Sequence, residues 1–318
     1  MRIGIVLLYL QYIAGVLGAG RYVIDRISCS GSLYNSVKGY MDTVQQWATD
    51  ICTPLEPYIQ DPTPANRPDE TFMNLVVRLF GKDDLPTLMN LYSRFDPMRQ
   101  YVLVDVDNRS EWWKNSEREQ SDLELFCNPD YIIWKNSPVD GSATWWDPTR
   151  YCPIKNDNMI LDLKLPSTHL LAVSCPAVID GNQERWPVRW SETITFQPQK
   201  LQRTIDKDVT FNAKRVQKAA APSLFSRIKH KFKRTDKDFK PVDLLDTTEM
   251  TLVHEISHLV TCGASMDMRG DRSYGWTNVN ELKSAENAEN LAYFAMINQL
   301  NKNYQLDVKY DGAFVSLN

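Results

Sequence analysis

Residues 254–276 read HEISHLVTCGASMDMRGDRSYGW, with two histidines four positions apart and a glutamate directly after the first. On an α-helix, residues four apart lie on one face, so His254 and His258 can aim their imidazoles at one ion. Glu255, about 100° further round the helix, points instead toward the place where a water would sit beside that ion. The lead-in DTTEMTLV supplies independent helix signals. Asp246 can cap the N-terminus and Glu249 stands three residues on, close to a capping box. Met250, Val253, Ile256, Leu259 and Val260 give it apolar contacts, and Gly263 is placed to end it. The spacing therefore predicts the HExxH helix of a zinc peptidase. Zinc in such a site lowers the pKa of a water toward about 7, and Glu255 is its general base. The chain has four histidines, and the other two, His169 and His230, fall in an apolar strand and a basic loop, where neither reads as a ligand.

A catalytic zinc takes three protein ligands and keeps one position open. Three carboxylates compete for the third place: Asp271 at the head of DRSYG, Asp267 four residues earlier, and Glu281 in NELKSA, 23 residues after His258. No close pair of cysteines and no further histidine completes a closed, structural site.

The stretch resembles the deuterolysin and lysine-specific metalloendopeptidase group, the aspzincins, whose signature is HExxH followed by GTxDxxYG. Asp271-Arg272-Ser273-Tyr274-Gly275 matches the DxxYG half, while Met268 and Arg269 stand where the GT pair would be. NAENLAYFA at 287–295 resembles the group's NADxxxxFA helix, with Glu289 in place of the aspartate. The likeness is sharp over 246–297 and loose elsewhere. It implies a zincin-like α+β fold with an N-terminal helical layer and an HExxH active-site helix, and one Zn2+ per chain. Asp271 is then the third metal ligand beside His254 and His258, Tyr274 donates its hydroxyl to the developing oxyanion, and Glu289 binds a substrate lysine. The implied activity is that of a secreted, fungal-type zinc metalloendopeptidase acting on protein or peptide substrates. The alternative is a non-catalytic secreted zinc-binding or host-interaction protein on the same fold, against which the intact Glu255 argues.

The rest of the chain agrees with secretion. MRIGIVLLYLQYIAGVLGAG opens with one arginine, continues as an uncharged apolar run and ends in small residues, the layout of a signal peptide cut after Gly20. No later run is long and apolar enough to insert stably in a membrane once that segment is removed. Six cysteines in a secreted chain allow up to three disulfides. With 318 residues, 43% of them hydrophobic, the chain can bury a sizeable core, expected as a single catalytic domain over 21–318. A net charge of −4 gives no general reason to expect nucleic acid as a partner.

Apolar residues recur at helical spacing from about Ser32 to Ile59, Glu70 to Phe80 and Leu85 to Tyr92. YVLVDVD at 101–107 and HLLAVSCPAVI at 169–179 read as strands. Between them lie Trp112, Trp113, Trp134, Trp145 and Trp146, expected to cover a core rather than to line a groove. Residues 181–245 break the pattern and read as an insertion, with RIKHKFKRTDKDFK at 227–240 as a solvated basic loop.

Overall fold

The computed structural model describes residues 20–104, 123–136, 141, 143–147, 152–154, 164, 172–175, 192–221 and 240–317. The expected signal segment up to residue 19, Trp112, Trp113 and the basic run 227–239 lie outside the described residues. The fold is α+β, in two compact units, one drawn from Met1–Tyr34 and Gln100–Gln197, the other from Asn35–Arg99 and Pro198–Asn318.

The first unit is built on strands. β1 (Arg21–Ile24), β2 (Val102–Leu103), β3 (Leu123–Phe126), β7 (Ala172–Cys175) and β8 (Glu192–Phe196) form a sheet in the order β2-β1-β3-β8-β7. Pairing is parallel from β2 through β8, and β7 closes the edge antiparallel. Every residue of β3 and β8 is buried, as expected of central strands covered on both faces. β8 falls inside the stretch 181–245, so part of the expected insertion is a central strand of the sheet. A second, antiparallel sheet joins β4 (Ile133–Asn136), β5 (Ala143–Asp147) and β6 (Cys152–Ile154). There Trp146 is buried, whereas Trp134 is half exposed and packs edge-on against Trp145 across the strand pair.

Among the described residues one disulfide, Cys29–Cys127, ties the turn after β1 to the end of β3. Cys52 and Cys262 are buried thiols outside any disulfide, which corrects the expectation of up to three bridges. The reason is local: Cys52 occupies a position in the apolar stripe of a helix and serves as a small core residue. Burial pushes its thiol up to about 12. The side chains of Cys152 and Cys175 lie outside the described residues.

The second unit is helical. α1 (Ser32–Gln60) buries Val37, Tyr40, Met41, Val44, Ala48, Ile51 and Leu55, the three-and-four spacing of an amphipathic stripe. α2 (Glu70–Phe80) starts on Asp69, whose carboxylate accepts from the Phe72 N–H at 2.9 Å, and stops at Gly81 with φ +81°. α3 (Leu85–Gln100) runs eight residues past the expected end at Tyr92, through Pro97. Pro97 removes its own amide bond and crowds the carbonyl four residues back, and Phe95 and Met98, both fully buried, hold the last turns in place. α4 (Pro198–Asp206) and α5 (Ala213–Ala220) follow, then α6 (Thr248–Ser257), α7 (Trp276–Leu282) and α8 (Ala288–Tyr304).

α8 is buried on every side from Ala288 to Asn301, so it is the central helix of the unit. Its Phe294 meets Phe72 and Phe80 of α2 and Phe95 of α3 at ring separations of 5.2–6.0 Å. Burying such a side chain contributes about 1.5–3 kcal/mol. The antiparallel pair β9 (Leu306–Val308) and β10 (Phe314–Ser316) ends the chain, and Arg78 of α2 grips Asp307 of β9 at 2.7 Å.

Candidate metal centre

α6 carries the first histidine and the glutamate, but it starts one residue later than the sequence expectation and stops well short of Gly263. Its N-cap is Thr247, not Asp246, with the Thr247 hydroxyl accepting from the Met250 N–H at 3.4 Å. Its regular hydrogen bonding ends at Ser257, so His258 is the C-cap, at φ −73° and ψ −19°. The chain then tightens into a short 3-10 turn, Val260–Cys262, before Gly263 at φ +90° reverses its direction. That reversal brings the following loop back onto the helix: Ser265 N–H bonds to Ser257 C=O at 2.8 Å.

The two imidazoles converge. His254 Nε2 and His258 Nε2 are 3.1 Å apart. Asp267 closes the group, with one oxygen 3.5 Å from His254 Nε2 and the other 3.9 Å from His258 Nε2. One ligand atom from each of the three residues lies within 4.8 Å of the other two. A tetrahedral zinc with bonds of about 2.0–2.1 Å holds two nitrogens about 3.3 Å apart, close to this spacing.

The outer nitrogens fix the tautomers. His258 Nδ1 faces the Ser265 carbonyl at 2.7 Å, and a carbonyl only accepts, so Nδ1 carries the proton. His254 Nδ1 faces Glu289 Oε2 at 3.1 Å, again an acceptor. Both Nε2 atoms are then left to turn lone pairs on each other and on Asp267. The Asp267 oxygen nearer His254 is buried and accepts no hydrogen bond. Electron-rich atoms converging in this way favour a positive charge between them, supplied by a proton on His254 Nε2 or by a metal ion. His254 registers the same field in its titration. Burial alone would depress it, but the Glu289 hydrogen bond and the charges of Glu255, Glu289 and Asp267 hold it up at about 9.

Glu255, buried on the same helix, exerts its charge on both His254 and Tyr274. Tyr274 lays its ring along His254, 5.4 Å between centroids and 25° from parallel, and donates its hydroxyl to Asp267 Oδ2 at 2.7 Å. Burial, and then the bond to Asp267, push its phenol well above the ordinary range.

Of the three carboxylates weighed as third ligand, the structure brings Asp267 to the histidines. Asp271 lies in the 3-10 turn Gly270–Ser273, and its side chain is outside what is described. Glu281 is exposed on α7 and lies 3.9 Å from Arg269, away from the cluster. Glu289 is brought in behind His254.

Several residues that hold the site gave no sign of it in the sequence. Arg94 of α3 is buried and donates to the Gly263 carbonyl at 2.8 Å and the Ser265 hydroxyl at 2.7 Å, bracing the segment whose carbonyl orients His258. Asn287 is fully buried; it accepts from the Met268 N–H and donates to the Ser273 carbonyl and to Asn290. A parallel bridge between Met266 and Asn287 completes the seam between the loop and the start of α8. The NAEN tetrad that opens α8 is the one legible trace of this support.

No protein-family model, curated protein or solved structure matches the chain.

Proposed function

We propose that the chain is a zinc metalloendopeptidase whose metal is held by His254, His258 and Asp267. The observation that carries this is the convergence of two imidazole lone pairs and an unbonded carboxylate oxygen at 3.1–3.5 Å. Two nitrogens and one oxygen suit zinc, and three protein ligands leave a position open for chemistry. When bound, zinc polarises the scissile carbonyl and makes a water acidic enough to attack near neutral pH.

The chain's own residues supply the rest. Glu255 takes the proton of the attacking water and returns it to the leaving amine. Tyr274, which is 37% exposed, turns its hydroxyl from Asp267 to the carbonyl oxygen as that oxygen gains charge. Glu289 and the Ser265 carbonyl keep the two imidazoles aimed while this happens. The Cys29–Cys127 disulfide supports passage through an oxidising compartment, in keeping with a secreted enzyme. Among the described residues no helix is long and apolar enough to cross a membrane.

The test is digestion of a mixed peptide library by the purified chain, with every cut mapped by mass spectrometry. Cuts are expected, and they disappear both with a zinc chelator and in Glu255→Ala. Stoichiometric zinc with no cut peptide would replace the peptidase by a zinc-binding protein.

A further inference from the structure

Glu289 is 8% exposed and sits in the first turn of α8. Its two oxygens are engaged on different sides: Oε2 lies 3.1 Å from His254 Nδ1, and Oε1 accepts from the Gly275 N–H at 3.3 Å. Gly275 has φ +85°, a conformation that favours glycine, and it immediately follows Tyr274. One carboxylate thus spans the back of a metal-binding histidine and the turn that carries the tyrosine.

We infer that Glu289 is a positioning residue of the metal centre rather than the acceptor of a substrate lysine: it locks His254 as the Nδ1–H tautomer and pins the Tyr274–Gly275 turn. This rests on the metal centre proposed above. An ionised carboxylate only accepts, so it satisfies two donors at once. A glutamine of the same size cannot. If its carbonyl oxygen stays on Gly275, its NH2 group confronts His254 Nδ1–H; if the amide flips, the NH2 group confronts the Gly275 N–H. In the first case His254 is driven to carry its proton on Nε2, where the metal must bind.

Zinc affinity of wild type and Glu289→Gln, measured by competition with a chromophoric chelator, tests this directly. The variant is expected to bind zinc about 10–100-fold more weakly, as outer partners of metal-bound histidines do. In the peptide library all cuts slow together, with the residue preference unchanged. Glu281→Gln, an exposed glutamate outside the cluster, serves as the control for lost charge. Unchanged zinc affinity in Glu289→Gln, or a selective loss of cuts beside lysine, overturns the inference and makes Glu289 a specificity residue. A second measurement covers a variant that fails to fold: 15N shifts of His254 in the zinc-loaded wild type must show a protonated Nδ1 and a metal-bound Nε2. The opposite assignment overturns the inference while leaving the metal centre standing. A wild-type chain that takes up no zinc removes both.

Discussion

His254 and His258 come from the same stretch of chain, yet they are held by opposite kinds of structure. His254 lies inside α6 and is backed by a side chain from the central helix α8. His258 lies just past the last regular turn and is backed by a carbonyl in a loop, itself braced by Arg94. The helix-borne half of the centre is set by burial and by the one contact from Glu289. The loop-borne half, including Asp267 and Tyr274, depends on a few polar contacts that fold the chain back after Gly263. The first half is rigid because it belongs to the core, the second because it is tied to it.

Asp267→Ala should have the largest effect, since it removes the proposed ligand of the loop-borne half. Zinc affinity is expected to fall by more than the ~100-fold typical of outer-shell changes, with peptide cleavage lost in parallel. Chelator competition measures it, and Asp271→Ala made alongside separates the two aspartates. If Asp271→Ala abolishes binding and Asp267→Ala does not, the loop rearranges around the ion.

Arg94→Gln tests whether the loop needs its brace. The guanidinium is buried, but its partner Glu286 is half exposed, so the ion pair itself counts for little. The loss comes from two charge-assisted bonds to the 263–265 segment, about 2–3 kcal/mol in chemical unfolding. Zinc affinity should fall as well, because the Ser265 carbonyl loses its fixed position. Equal affinity with lower stability would reduce Arg94 to a packing role.

The smallest effect is one of pH and concerns the helix-borne half. In metal-free protein His254 is raised from 6.5 to about 9. A group whose folded pKa is raised stabilises the fold fully below its unfolded value, and that contribution is lost as pH rises through the folded one. The melting temperature of metal-free protein should therefore decline between about pH 6.5 and 9, and Glu289→Gln should flatten that decline. An unchanged slope in the variant would assign the shift to Glu255 and Asp267 instead.

The same contrast explains what could be read from the sequence. The helix that carries His254 is legible because its geometry is periodic, although it ends at Ser257 and leaves His258 as its cap, and the helices Ser32–Gln60 and Glu70–Phe80 are legible for the same reason. That Asp267 comes within reach of the two histidines was not. It depends on a reversal at Gly263, a positive φ at Ala264, and a seam with Asn287 that lies 20 residues after Asp267, none of which leaves a periodic trace. Arg94 lay outside the expected helix, which stopped at Tyr92, whereas α3 continues through Pro97 to Gln100. β8 went unread although ETITF is rich in β-branched residues; its Glu192, Thr193 and Thr195 are polar yet buried, which no sequence pattern announces.

The Met266–Asn287 seam has a consequence for how the centre comes apart. Met266 N–H bonds to the Glu286 carbonyl at 2.8 Å and Ala288 N–H returns to the Met266 carbonyl at 3.1 Å. Lifting the loop off therefore frays the entry to α8, where Glu289 sits, and fraying that entry lets the loop go. The ligand-bearing loop and the first turn of the central helix form one cooperative opening unit. If the proposed zinc is held there, its release and the loosening of the core become a single event, so zinc-loaded protein should melt higher than metal-free protein.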